Sequence, residues 1–528
     1  MVFFLNLFFV GTRKNPPVNQ LIISSIGDAS FLNPVLAQDS ASSEINGFVF
    51  NGLLKYDQDL ILVGDLAESW EVKEGARPEI TFTLRPGVRW HDGRSFTAED
   101  VRFTYQTIMD EKTNTVRRSD YELVDRLEVL DARHLRVVYK EPFSPGLSSW
   151  TIGIIPRHLL AGSDINTSPF NRRPVGTGPF RFAEWVSDEK ISLTANPDYF
   201  EGRPLLDRII YRIIPETSLS EIELLTGGID LFSTYPHQYQ RMSRDPRLTL
   251  YRYPSLGYTY IGYNQNSFLF QDRRVRQALT MAINREEMIT FILFGLGRQA
   301  TGPFPGHLWY ADPKVAPWPF DPERARRYLK EAGWEDRDGD GILEKDGKPF
   351  RFTLITNSGN EVRKDVGVLI QRYWRDLGID VKLEMYEWSV FLKNFINPRH
   401  FDACILGWSL GVDPDAYNIW HSKQIKDGFN FIGYQNPAAD RLWEAGRREY
   451  QADKRRQIYY QLQALLAEDQ PYTFLFVSDA LPALQRKFQV AEKGPSGKMT
   501  YTPVRVGKAG LMHDLIMWTV PKGTTLTP

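Results

Sequence analysis

Hydrophobic and polar positions alternate through residues 80–85. Ile80, Phe82 and Leu84 interleave with Thr81, Thr83 and Arg85, the period of a strand with one buried face. Pro86-Gly87 supplies a turn, Val88 and Trp90 a second short extended piece, and Asp92-Gly93 closes it. Thr97 and Asp100 bracket a capping box, so a helix starts at Ala98 with Val101, Tyr105 and Ile108 on one face. Elsewhere the pattern predicts a buried strand at 21–26, a helix from Ser42 to about 51, strands at 121–130 and 134–139, and a helix over 216–229 closed by Gly227-Gly228. The charged run 110–120 reads as a solvated loop.

Beyond residue 258 a second α/β pattern follows. A strand at 258–264 leads to a helix with Val275, Leu279 and Ala282 on its face, and Asn284 with Glu287 caps the next. Pro322 opens a further helix. A strand at 351–356, a helix lined by Val362, Val366, Leu369, Tyr373 and Leu377, and a strand with Val381, Leu383 and Met385 form one crossover unit. Such a unit predicts a mostly parallel sheet. Strands at 401–408 and 472–477 flank two helices, 438–448 and 453–467.

Length adds that 528 residues exceed one hydrophobic core, so about three structural units are expected. At 42% hydrophobic and 24% charged residues the chain is globular. With 64 basic against 65 acidic residues it has no field for nucleic acid or an anionic membrane. The single cysteine, Cys404, permits no internal disulfide and no paired-cysteine metal motif; it reads as a small core residue. An apolar run at 3–10, followed by Arg13 and Lys14, reads as a signal remnant within 1–19, with no nearby cysteine to carry a lipid anchor.

Catalytic signatures are missing. The eight histidines stand far apart, and neither His-Glu-x-x-His nor Gly-x-Ser-x-Gly occurs. The Gly176 and Gly178 segment lacks a phosphate-binding fingerprint and reads as close backbone packing. No enzyme activity and no cofactor are expected. One motif resembles a calcium loop, with Asp336, Asp338 and Asp340 at alternate positions and Gly341 at the turn, but Gly347 stands where the bidentate glutamate belongs. A resident metal is therefore not expected.

The succession of strand, Pro-Gly turn, Trp90-x-Asp92-Gly93 and capped helix resembles the signature of the family 5 extracellular solute-binding proteins, the peptide and nickel type serving ABC importers. Leu32-Asn33-Pro34, Leu66-Ala67-Glu68-Ser69-Trp70, the 174–180 segment and Asn196-Pro197-Asp198-Tyr199-Phe200 extend the similarity, which covers about residues 20–480. The resemblance implies an α/β, two-lobed periplasmic-binding-protein clamp of type II with an inserted subdomain and two hinge strands. Lobe I would comprise 20–52, 175–263 and 477–528, the subdomain 53–174 and lobe II 264–476, with the first hinge near 262–264.

A clamp of this kind binds ligand at loops leaving the carboxyl ends of strands, which points to the segment from Gly407-Trp408 through Asp413, Asp415 and Tyr417. In peptide-binding relatives the matching Gly-Trp segment gives an indole wall and, about three residues on, an aspartate for the peptide ammonium. Here that place is Gly411, which leaves Asp413 or Asp415 to replace it, or a ligand without an amino terminus. Phe31, Leu32, Asn430, Tyr434, Phe474 and Phe476 are further candidates beside turn and core roles. The implied function is an extracytoplasmic receptor, periplasmic or on the outer face of the cell membrane. It would capture oligopeptides or dipeptides as a monomer and deliver them to an ABC permease and ATPase. An oligosaccharide, a metal chelate, or sensing without a permease remain as alternatives.

Overall fold

The computed structural model describes residues 19–494 and 496–521; the apolar segment 3–10 lies outside them. Two large sheets organise the chain. The first runs in the order Leu248–Leu250, Pro482–Gln485, Leu231–Ser233, Gln20–Ser25, Arg208–Ile213, Lys190–Ala195 and Phe180–Val186. Its central strand, Gln20–Ser25, is parallel to both neighbours, and the remaining pairs are antiparallel. Strands of such opposed origin meet because Leu21, Ile23, Ile209 and Tyr211 are buried in one core with Val49 and Phe180.

The second sheet contains Tyr253–Pro254, Tyr472–Ala480, Gly257–Tyr263, Ala403–Ser409, Arg351–Asn357 and Asp380–Tyr386, with Gly297–Gln299 paired to Tyr472–Ala480. Parallel pairing is confined to Arg351–Asn357 with its two neighbours, and every other pair is antiparallel. The mostly parallel sheet expected from the crossover unit is thus a mixed one. The unit itself forms, with helix Glu361–Arg375 burying Val366, Ile370 and Trp374 between its strands. What the pattern missed is that long-range strands, not further crossovers, complete this sheet.

The chain passes between the sheets at two places. Leu248–Leu250 pairs in the first and Tyr253–Pro254 in the second; Tyr472–Ala480 pairs in the second and Pro482–Gln485 in the first. Gly257–Tyr263 bonds along its length to Ala403–Ser409. The passage therefore precedes the stretch 262–264 where a hinge strand was expected.

Residues 53–174 hold an antiparallel four-stranded sheet, in the order Ala67–Lys73, Glu79–Leu84, His134–Tyr139 and Val124–Val129. The alternation read at 80–84 buries Ile80, Phe82 and Leu84, and helix Ala98–Met109 begins where the capping box places it. The Thr97 amide donates to Asp100 Oδ2 at 3.0 Å, and Asp100 Oδ1 accepts the Arg157 amide at 3.1 Å. Trp90 is fully buried and serves as scaffold. Gly176 and Gly178 lie against the backbone of helix Ser40–Val49: a Cβ on Gly176 would stand 1.8 Å from the Val49 carbonyl oxygen, which excludes any side chain.

The run 110–120 is solvated only in part, at Asp110, Glu111, Lys112 and Asn114. Thr113, Thr115, Val116 and Ser119 are buried, and Thr115 Oγ1 donates to the Val35 carbonyl at 2.7 Å. Its charges had suggested solvent, whereas Arg117 and Asp120 turn inward to a cavity.

Candidate binding cleft

A cavity of about 880 Å³ opens between the two lobes. Helix Ser40–Val49 contributes Ser43 and Glu44, the inserted subdomain Arg117, Asp120, Ser148 and Thr151, and the second lobe Tyr258, Tyr260, Arg363, Trp388, Trp408 and residues 409–416. The lobes also touch directly. Thr217 Oγ1 donates to Glu361 Oε1 at 3.0 Å, the Tyr235 hydroxyl donates to the Gly359 carbonyl at 2.9 Å, and Arg447 and Arg448 reach Glu122 and Glu141 at 3.2 and 2.8 Å.

Trp408 is the penultimate residue of strand Ala403–Ser409 and lines the cavity. Its ring stacks with Tyr260 (6.2 Å, 10°) and Phe431 (6.0 Å, 11°), and its Nε1–H donates to the Tyr472 hydroxyl at 3.4 Å. Tyr260 in turn stacks on Tyr472 at 3.9 Å. The indole is therefore held edge and face by other aromatics and forms a rigid apolar wall. Cys404, on the same strand, is core; burial pushes its thiol up to about 12, which leaves it unreactive at neutral pH.

Asp413 and Asp415 also line the cavity, but each has a cation of its own. Asp413 accepts a two-pronged bond from Arg455, Nη1 to Oδ2 at 2.8 Å and Nη2 to Oδ1 at 2.7 Å. Burial works against the Arg455 charge, yet this carboxylate overrides it and holds the guanidinium above the usual arginine range. Asp415 lies 3.2 Å from Arg447 Nε; burial raises its carboxyl and Arg447 opposes the shift. Asp413 Oδ1 also accepts the Asp415 amide, and Asp415 Oδ1 the Tyr417 amide, so both acids shape the turn. A ligand ammonium at either would have to displace an arginine. Asp120 joins this cluster, its carboxyl pushed up to about 6 chiefly by burial, with Arg117 and Arg447 opposing.

The other candidates lie away from the cavity lining. Tyr417 is buried, stacked on His421 at 4.2 Å and under the Arg447 guanidinium. Asn430 folds its own loop, donating to the Tyr434 carbonyl at 2.8 Å and accepting the Tyr434 amide at 3.0 Å; the Tyr434 hydroxyl is held by Asp469 at 2.7 Å. Leu32, Phe474 and Phe476 are core residues, and Phe31 is open to solvent outside the lining. Apolar or loop-closing demands win at Tyr417, Asn430, Tyr434, Leu32, Phe474 and Phe476, while neighbouring Phe429 and Phe431 reach the cavity.

Of the lining residues that the sequence did not single out, two bear most on ligand charge. Arg363, in the first turn of helix Glu361–Arg375, donates from Nη1 to Asn357 Oδ1 at 2.7 Å. Among the described residues no carboxylate pairs with it; burial pushes its charge down and only tyrosines and Cys404 oppose. It follows the carboxyl end of strand Arg351–Asn357, so the rule that singled out Trp408 also pointed here. Glu44 is the second, with a carboxyl raised by burial and the Tyr211 hydroxyl beside it. The Asp336, Asp338, Asp340 and Glu344 carboxylates converge within 4.8 Å in an exposed hairpin remote from the cleft lining.

Two lobes enclosing one cavity, with two chain passages between them, define a solute-binding clamp. The profile "Bacterial extracellular solute-binding proteins, family 5 Middle" matches residues 62–429, and the chain belongs to that family. It is 37% identical over 465 residues to the oligopeptide-binding protein AppA of Bacillus subtilis (strain 168), covering 86% of each chain. The structure of Bacillus subtilis AppA in complex with a nonapeptide superposes with a TM-score of 0.89 at 34% identity, over 96% of this chain and 100% of that one. NikZ of Campylobacter jejuni in complex with Ni(L-His) superposes with a TM-score of 0.83 at 27% identity, over 95% and 99%. Among the described residues no helix is long and apolar enough to cross a membrane.

Proposed function

We propose that the chain captures peptides between its lobes, on the periplasmic side or outer face of the cell membrane, and delivers them as a monomer to an ABC permease driven by its ATPase. The observation that carries this is the interlobe cavity of about 880 Å³ with Arg363 unpaired in its wall. That volume sits at the upper end of the range for small-ligand sites, roughly 300–1,000 Å³. Arg363 is half-buried and meets Asn357 but, among the described residues, no carboxylate, so an anion in the cavity supplies the charge-assisted partner that it lacks. A peptide carboxylate answers that demand in bidentate geometry. Trp408, Phe429 and Phe431 give an apolar pocket for a side chain, and Ser148, Thr151 and Asn397 offer polar groups to main chain, directly or through water.

The likeness to AppA, which holds a nonapeptide, supports the same class of cargo. A nickel chelate of the kind held by NikZ is less favoured, since no histidine, cysteine or methionine stands among the described lining residues. Lobe I is assigned the first sheet with residues 53–174 inserted, lobe II the second sheet. Their passages at 251–252 and 481 act as the hinge, and ligand drives closure by binding both walls at once.

The test is native mass spectrometry of the purified protein mixed with random peptide pools of two to nine residues, followed by denaturing identification of what is retained. Retained, intact peptides are expected. Failure to hold any pool, or recovery of a non-peptide solute, overturns the reading.

A further inference from the structure

Five carboxylates line the cavity: Asp39, Glu44, Asp120, Asp413 and Asp415. Four are already answered within the chain. Asp39 caps its own helix, accepting the Ser42 amide at 2.8 Å and the Ser42 hydroxyl at 2.7 Å. Asp413 holds Arg455, Asp415 lies against Arg447, and the charges of Arg117 and Arg447 act on Asp120. Glu44 differs. Among the described residues no lysine, arginine or histidine forms an ion pair with it, and the Tyr211 hydroxyl lies beside it. Its side chain is open to the cavity's solvent although the surrounding protein is dense. It is also rigidly placed, on helix Ser40–Val49, whose Ile45 and Val49 are anchored in the first core.

An anion in a cavity that ligand fills loses its water on binding, a cost that a cationic group of the ligand relieves. The cations on the opposite lobe do not: Arg455 and Arg447 belong to Asp413 and Asp415, and Arg363 exerts no influence on Glu44. We infer that Glu44 is the counter-ion for a cationic group of the bound peptide, its α-ammonium or a lysine or arginine side chain, from the wall opposite Arg363. This rests on the peptide reading above, and it moves recognition of positive charge from the 413–415 turn to the first lobe. The chain would then select peptides that carry a cation for one lobe and a carboxylate for the other.

Three pentapeptide pools test it by competition titration: one with free amines and with lysine and arginine included, one N-acetylated but keeping those side chains, and one N-acetylated without them. Wild-type protein should bind the third pool about tenfold more weakly than the first, as expected for losing a charge-assisted bond. In Glu44→Gln the gap should shrink below about threefold, and Glu44→Asp should keep part of it. If the second pool is as weak as the third, the α-ammonium is the group read; if it matches the first, a side chain is. Equal binding of the first and third pools by wild type, or an undiminished gap in a Glu44→Gln variant that melts like wild type, overturns the assignment. If no pool binds wild type, the peptide reading itself fails.

Discussion

Two aspartate-rich turns of this molecule begin alike and end differently. In the hairpin at 336–344, Asp336 accepts the Gly339 and Gly341 amides at 2.8 and 3.0 Å, Asp338 the Asp340 amide at 3.0 Å, and Asp340 the Ile342 amide at 2.7 Å. In the turn at 413–417, Asp413 and Asp415 accept the amides two residues on at 2.9 and 3.2 Å, the same local device. The hairpin is exposed, with Arg351 3.6 Å from Asp340 at the surface and its other aspartates open to solvent. The turn lies at the wall of a cavity between lobes, where Arg455 and Arg447 serve the remaining lone pairs of its acids. Local turn chemistry is common to both. Burial decides which of them needs a long-range partner.

The largest effect should come from removing that partner. Arg455→Met leaves Asp413 without its counter-ion, and since the acid is about one-fifth exposed the loss belongs at the low end for broken buried pairs, about 3 kcal/mol. Urea unfolding measures it, and adding Asp413→Asn should restore most of the loss.

Next comes the pH response of the same cluster. Asp120, raised to about 6 by burial against Arg117 and Arg447, keeps its proton in the folded chain where an ordinary carboxyl has lost it. Between about pH 4 and 6 the folded state binds more protons, so this group's contribution falls as pH rises through that window. On going from pH 7 to pH 5 wild type should gain about 1 kcal/mol relative to Asp120→Asn, seen as a change in their Tm difference. A constant difference would mean that the cluster is as solvated as the hairpin.

The hairpin supplies the smallest effect. Asp338→Asn retains an oxygen to accept the Asp340 amide and should change stability by less than about 0.5 kcal/mol in urea unfolding. A loss as large as that of Arg455→Met would show that the two turns are not different after all.

The contrast also marks what was legible in sequence. Period and punctuation placed most elements: the 80–84 alternation, the cap at Thr97 and the C-terminal glycine at 227, which takes φ +79°. Trp408 and the two acids were legible as cavity residues because they leave a strand's carboxyl end. Their partners were not, because Arg455 lies 42 residues on and on another element. Arg117 and Asp120 failed for a related reason, since charge along the chain was equated with solvent where the fold gave it a cavity. Glu44 stands in a helix with no local mark of a site, whereas Arg363 follows a strand's carboxyl end and was within reach of the rule that found Trp408. The mixed second sheet escaped because Tyr472–Ala480 returns from more than 200 residues away to pair beside Gly257–Tyr263.

The central claim, that a peptide lies in the interlobe cavity with its carboxylate on Arg363, is tested most directly by one titration. The Kd of a free-carboxylate pentapeptide pool is compared with that of its C-terminal amide, on wild type and on Arg363→Gln. The account predicts that amidation weakens wild-type binding about tenfold or more and leaves Arg363→Gln nearly indifferent. Equal affinity of acid and amide for wild type, or the same discrimination in the variant, would contradict it.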